Sequence, residues 1–144
     1  MPSYIDLLQI ANVDSKNLKN HYISNRSSHR NNDWWFEWAV RKVHHRTDGP
    51  AIIQVKGWDG NDEHPIDSIE PGWRIFGFPI RHDAYIMLVE EPDLTKLAFK
   101  FIEMLGVVDT TWEVPMRRVF EAKYVDFAPV ANAVAVAKSF NRRS

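Results

Sequence analysis

An internal repeat constrains this chain more than any other feature of its sequence. Trp38, Arg46 and Asp48 recur 35 residues later as Trp73, Arg81 and Asp83 (73 − 38 = 35). Between and after these anchors, Val40/Ile75, Val43/Phe78, Ala51/Ile86, Ile52/Met87 and Ile53/Leu88 match in apolar character. Repeated units of this size are single supersecondary elements that bury their apolar faces against one another. Each unit reads as a strand, a short turn holding Arg-x-Asp, and a second strand. The short, turn-bounded apolar runs predict strands over 34–44, 51–57, 73–79 and 84–90. Two such hairpins make a small antiparallel sheet. Arg and Asp two apart project to one side of a strand, which predicts an ion pair bracing each turn. The sharper alternative is a turn that presents its arginine to a partner.

The first unit contains His45-Arg46-Thr47-Asp48-Gly49-Pro50-Ala51. This string resembles the His-Arg-x-Asp-Gly-Pro-Ala signature of MORN-like repeat proteins of bacteriophages. In that family a Trp and an Asn-Gly turn precede the signature, much as Trp73 and Phe76-Gly77 precede Arg81. The second copy is degenerate, with Ile80, Ala84, Tyr85 and Ile86 in place of His, Gly, Pro and Ala. The resemblance covers about a quarter of the chain, residues 38–55 with the weaker copy at 73–90, and leaves 1–33 and 92–144 outside it. It implies a phage-type β-repeat and a phage origin, and it carries no defined activity. On the residues alone, Gly49 is pushed towards extended backbone by Pro50, and Ala84 resists a positive φ. The turns therefore do not depend on left-handed glycine in both copies.

The flanks are helical in pattern. Ser3 is an N-cap for a short helix burying Ile5 and Leu8. The polar run Asn25–Asn32 reads as a loop or mobile arm. Pro92-Asp93 opens a helix with the apolar stripe Leu94, Leu97, Ala98, Phe101, Ile102 and Leu105, stopped at Gly106. Pro115 suits the first turn of a second helix presenting Met116, Val119, Phe120 and Tyr124. Pro129 can open a third through 128–140, although Val130, Val134 and Val136 leave a strand open there. Asn141–Ser144 reads as a solvated tail. The expected architecture is α+β: a short N-terminal helix, a small antiparallel sheet from two hairpin-like repeats over 34–90, then two or three helices. One domain, 1–144, holds the N-terminal arm, the repeat region 34–91 and the helical region 92–144.

Charge and composition remove many functions. Eighteen Lys+Arg against nineteen Asp+Glu leave a net charge of −1, which argues against a nucleic-acid coat or a DNA mimic. Cysteine is absent, so thiol nucleophiles, Cys-ligated zinc and iron–sulfur clusters are excluded. No apolar run approaches the roughly 20 residues of a membrane span, and Met1–Val13 lacks a signal-type pattern. A soluble protein of the host cytoplasm, or a virion component, is expected.

Candidate chemistry is sparse. His44, His45, Asp62, His64, His82 and Asp83 could be assembled into an HNH-like metal nuclease, but no histidine follows His82 to close the motif. His44 and His45 also point to opposite strand faces. The acidic segment Asp59, Asp62, Glu63, Asp67 and Glu70 holds no Lys or Arg. It reads as a solvated loop without calcium-loop spacing. Alternation places Trp34, Phe36, Trp38 and Val40 on a core face and leaves Trp35 as an exposed aromatic beside Arg41, Lys42 and Arg46. Base stacking on Trp35 is the nucleic-acid alternative. Six tryptophans with few catalytic groups favour recognition instead, because Trp, Tyr and Arg anchor interfaces. The expected interface set is Trp35, Arg41, Arg46, Asp48, Trp58, Arg81 and Asp83. The sequence thus predicts a non-enzymatic phage accessory protein without cofactor or metal. It would bind a host or phage protein, and inhibition of a host defence or transcription protein is the leading role. Self-association, a virion structural role and the nuclease are the alternatives.

Overall fold

A computed structural model describes residues 2–13, 33–105 and 111–143, with side chains up to 136. The Asn25–Asn32 run and the Gly106 stop lie outside the described residues. The fold is α+β, with small antiparallel sheets, a short N-terminal helix and three helices after the repeats. Helix α1 (Tyr4–Ala11) starts at Ser3, whose side chain accepts from Asp6 N–H while Asp6 accepts from Ser3 N–H, a reciprocal capping box. It ends at Asn12 in the left-handed region. The helix buries Tyr4, Leu7 and Ala11 and leaves Ile5 exposed, so the apolar stripe is rotated from the expected Ile5/Leu8 pair.

Strand β1 (Trp34–Glu37), β4 (Ile52–Lys56) and β5 (Ser68–Gly72) form a three-stranded antiparallel sheet in the order β1-β4-β5. Phe36 lies opposite Ile53, and Val55 lies opposite Ile69. One face of the sheet therefore packs on α1, and Trp58 and Ile66 complete that core. The other face carries Trp35, Gln54 and Glu70 in register.

The two repeat units are each a hairpin, and they obey the 35-residue offset. Strands β2 (Ala39–Val40) and β3 (Val43–His44) pair around Arg41-Lys42; β6 (Arg74–Ile75) and β7 (Phe78–Pro79) pair around Phe76-Gly77. Both central residues have positive φ in both turns, 47° and 67° in the first and 52° and 84° in the second. That is the sign pattern of the hairpin turn whose twist matches its strands. His45 N–H donates to the Trp38 carbonyl, and Ile80 N–H donates to the Trp73 carbonyl in the same way. The hairpins lie side by side, joined by Gly77 N–H to the His44 carbonyl at 2.8 Å and Arg46 N–H to the Arg74 carbonyl. The stretches expected as single strands at 34–44 and 73–79 thus fold back on themselves, and the turn precedes Arg-x-Asp.

After Arg-x-Asp the two copies diverge. The first continues extended into β4. The second becomes helix α2 (His82–Val89), where a strand was expected over 84–90. The physical difference is Gly49-Pro50. Proline removes an amide donor and drives the residue before it out of the helical region. Ala84-Tyr85 at the equivalent places imposes neither restriction, and Tyr85 and Leu88 then bury one helical face. Helices α3 (Leu94–Leu105), α4 (Glu113–Ala122) and α5 (Ala128–Arg143) follow. The open choice at 128–140 resolves to helix, which continues through Arg143 where a tail was expected. These helices and the second hairpin enclose a core centred on Phe76, Phe101 and Phe120.

Left-handed backbone at two non-glycine residues in the first hairpin is costly. Replacing Arg41-Lys42 by Asn-Gly is expected to raise stability by about 1 kcal/mol, because the exposed Arg41–Glu121 pair at 3.6 Å contributes little. Urea unfolding of the double variant measures this. A lower midpoint would contradict the turn geometry.

Candidate functional site

The signature string folds into a tight loop between the two hydrophobic clusters, and Arg46 is its centre. The residue is 6% exposed, and each of its guanidinium nitrogens has an acceptor. Nε donates to Asp48 Oδ1 at 2.9 Å, Nη1 to the Pro50 carbonyl at 3.1 Å, and Nη2 to the Ala11 carbonyl at the end of α1. The cation lies 4.1 Å from the centroid of the Trp38 ring. Gly49 is needed here for space: a Cβ on it would fall 2.7 Å from Arg46 Cζ. It is not in the left-handed region, in keeping with the restriction that Pro50 imposes.

Tyr85 of α2 closes the loop from the other side. Its hydroxyl accepts from Gly49 N–H at 3.1 Å and lies 2.7 Å from both the Arg46 and Gly49 carbonyls, serving one with its single proton at a time. Burial raises the phenol's pKa above its ordinary value. Asn12 Nδ2 donates to the Asp48 carbonyl at 2.8 Å. The loop therefore ties α1, both hairpins and α2 together.

His45 is buried as well. Its ring stacks on Phe76 with centroids 4.8 Å apart, and Nδ1 accepts from the Phe76 N–H at 3.0 Å. Desolvation, reinforced by the nearby Lys123 charge, lowers its pKa to about 4.

The expected interface residues separate into two groups. Arg46 is buried, and Trp58 is fully buried against Tyr4 and Trp34. Neither can reach a partner, because the apolar area of Trp58 and the cation of Arg46 are both engaged inside the fold. Asp48 presents an exposed carboxylate that braces Arg46. Arg41 is exposed at the first turn, and Trp35 is half-buried on the outer sheet face. Arg81, the repeat equivalent of Arg46, is 88% exposed. It faces Asp83 at 3.6 Å, so the second ion pair is the weak surface kind.

The remaining histidines do not converge. His44 meets Glu37 at 3.3 Å, His64 meets Asp59, and His82 packs on Trp73. Among the described residues no group of three His, Asp or Glu side chains could hold a metal ion. The acidic segment is not a loop throughout, since Glu70 lies in β5 opposite Gln54. Its first part organises itself, with Asp59 accepting from Asn61 N–H at 2.9 Å, and this bond with the His64 contact lowers the Asp59 pKa. Ile86 and Met87, paired in the sequence with Ala51 and Ile52, are exposed on α2 and were not among the expected site residues. Their outward placement follows from helical rather than strand periodicity. No helix among the described residues is long and apolar enough to cross a membrane. The chain matches no protein-family model, no curated protein and no solved structure.

Two outcomes are expected from this geometry. Arg46→Ala leaves buried carbonyls without donors and lowers stability by at least about 3 kcal/mol, whereas Asp48→Ala costs under about 1 kcal/mol. Equal losses in chemical denaturation would contradict the buried role of Arg46. His45 binds a proton in the unfolded chain below about pH 6.5 but in the folded chain only below about pH 4. Its contribution is complete above 6.5 and declines as the pH falls, by about 2 kcal/mol at pH 5. The difference in unfolding free energy between wild type and His45→Gln should therefore shrink between pH 7 and pH 5.

Proposed function

We propose that this chain is a non-enzymatic phage accessory protein that binds a protein partner of the host and inhibits or redirects it. The observation that carries the reading is the outward face of α2. Asp83, Ile86, Met87 and Glu90 stand at i, i+3, i+4 and i+7, on one helical face, and all four are exposed. Ile86 is 47% and Met87 53% exposed. An apolar pair bracketed by carboxylates, with Arg81 at the helix start, suits an apolar groove rimmed by basic side chains. Methionine adapts to such grooves.

Two further points support binding over catalysis. The histidines that a nuclease would use have separate partners, and the signature's charged residues are engaged in the fold. The resemblance of residues 45–51 to the phage repeat signature supports the origin, with the host cytoplasm as the place of action.

The test is affinity capture of the tagged chain from infected cells, with an Ile86→Ser/Met87→Ser variant alongside. Wild type is expected to retain one host protein in near-equal amount. The variant, whose changes are solvent-facing, should lose at least about tenfold in retention. Trp35→Ala should retain the partner. Equal retention by the α2 variant would reject this face. Recovery of capsid or tail proteins alone would replace the host target with a virion role, and recovery of the chain itself would make the face a self-association surface.

A further inference from the structure

A cleft of about 350 Å³ lies beside the signature loop, lined in part by His45 and Thr47, and its lining has an unusual set of groups. Its polar lining is His45, Thr47, Glu91 and Lys123; Val89, Leu94 and Leu97 form an apolar wall. His45 is only 6% exposed. Because Nδ1 accepts from the Phe76 amide, the neutral ring carries its proton on Nε2. That nitrogen has no protein partner among the described residues, yet none of their fully buried polar side-chain atoms is left without one. Nε2–H therefore opens into the cleft as an unused donor.

The charges are equally unused. Lys123 sits at the end of α4, and its ammonium forms no ion pair among the described residues. Glu91 accepts only a long bond from Asp93 N–H at 3.4 Å. The two line one cleft with opposite charge and form no ion pair with each other, so an anion-binding and a cation-binding group are both left open to a ligand. Val89, Leu94 and Leu97 line the same cleft.

We infer that this cleft binds a free α-amino acid with an apolar side chain. The ligand carboxylate meets Lys123 and the His45 Nε2–H, its ammonium meets Glu91, and its side chain lies on Val89, Leu94 and Leu97. A simple carboxylate satisfies one end and is repelled by Glu91; a simple amine satisfies the other and is repelled by Lys123. The volume is that of a small-ligand pocket, and a charge-assisted bond at each end supplies orientation. This site is separate from the α2 face and does not depend on the protein partner.

Leucine, isocaproate (its analogue without the ammonium) and isoamylamine (without the carboxylate) are the probes, titrated into the isotope-labelled full chain. Leucine is expected to shift the His45 ring N–H and the Thr47, Val89, Leu94 and Lys123 amides. It should bind at least about tenfold more tightly than either analogue. Lys123→Met and Glu91→Gln, both at solvent-reaching side chains, should each weaken leucine by about tenfold with the amide spectrum otherwise retained. Glu91→Gln should not weaken isocaproate. Shifts elsewhere on the molecule, analogues that bind as well as leucine, or variants that leave leucine binding unchanged would each overturn the assignment. So would the absence of shifts with leucine, valine, methionine and phenylalanine alike.

Discussion

The structure turns on the burial of one guanidinium. Arg46 has its charge between the ring of Trp38, the carboxylate of Asp48 and two backbone carbonyls, one of them the last of α1. A buried cation is tolerated only when its donors are satisfied, so each of these groups must hold its place for the others to stay. Its own carbonyl is bound from the far side by Tyr85. Tyr85 belongs to the helical cluster and Ala11 to the sheet cluster. The two apolar clusters, each with its own aromatic centre, are thereby held in register by a polar node that neither could replace by packing alone.

The repeat supplies that node once, and the second copy shows what happens without it. Both units keep the hairpin, with the same left-handed turn pair and the same closing bond to a Trp carbonyl. They part at a dipeptide. Gly49 leaves the space that the guanidinium fills, and Pro50 keeps the chain from coiling, so the first copy turns and enters β4. Ala84-Tyr85 offers neither. Arg81 is left in solvent, the following residues wind into α2, and the tyrosine that stands where proline would be reaches back to cap the first copy's loop. The equivalent of His45 is Ile80, a buried apolar residue that needs no partner. The degenerate copy is thus complementary to the intact one rather than a weaker version of it.

Much of this was legible in the residues. The offset of the repeat, the sheet strand at 52–56, the helix at Leu94 and the restriction on Gly49 all follow from periodicity and from proline and glycine sterics. The tight turn at Arg41-Lys42 was hidden because neither residue is glycine. Phe76-Gly77, although set beside an Asn-Gly turn by the resemblance, reads through as part of one strand over 73–79. Tertiary packing holds Arg41, Lys42 and Phe76 at positive φ. Helix α2 was hidden because short apolar runs satisfy either period. Among the expected interface residues, burial takes Arg46 and Trp58 off the surface. Arginine and tryptophan anchor interfaces and cores alike, so residue type alone does not separate Arg46 from Arg81 or Trp58 from Trp35. The signal that does distinguish the arginines is the Gly-Pro that follows one and not the other, since a space beside the loop and a rigid backbone are what a buried guanidinium needs.

That same divergence places the surfaces on which function can act. Within the intact copy, Arg46 is consumed by architecture, and His45 keeps only one nitrogen in reserve. Helix α2 forms where the second copy lacks Gly-Pro, and α2 supplies both the exposed Ile86-Met87 pair and, through Val89 and the following Glu91, part of the lining of the cleft that His45 also lines. A repeat with two intact copies would have two buried guanidiniums and no such helix. The divergent second unit thus contributes a helix with an exposed apolar pair and part of the lining of a charged, apolar-walled cleft. The exposed large apolar and charged side chains of the second unit therefore lie in residues 81–91, where the match between the copies is weakest, while Arg46 and its partners in the first unit hold the scaffold.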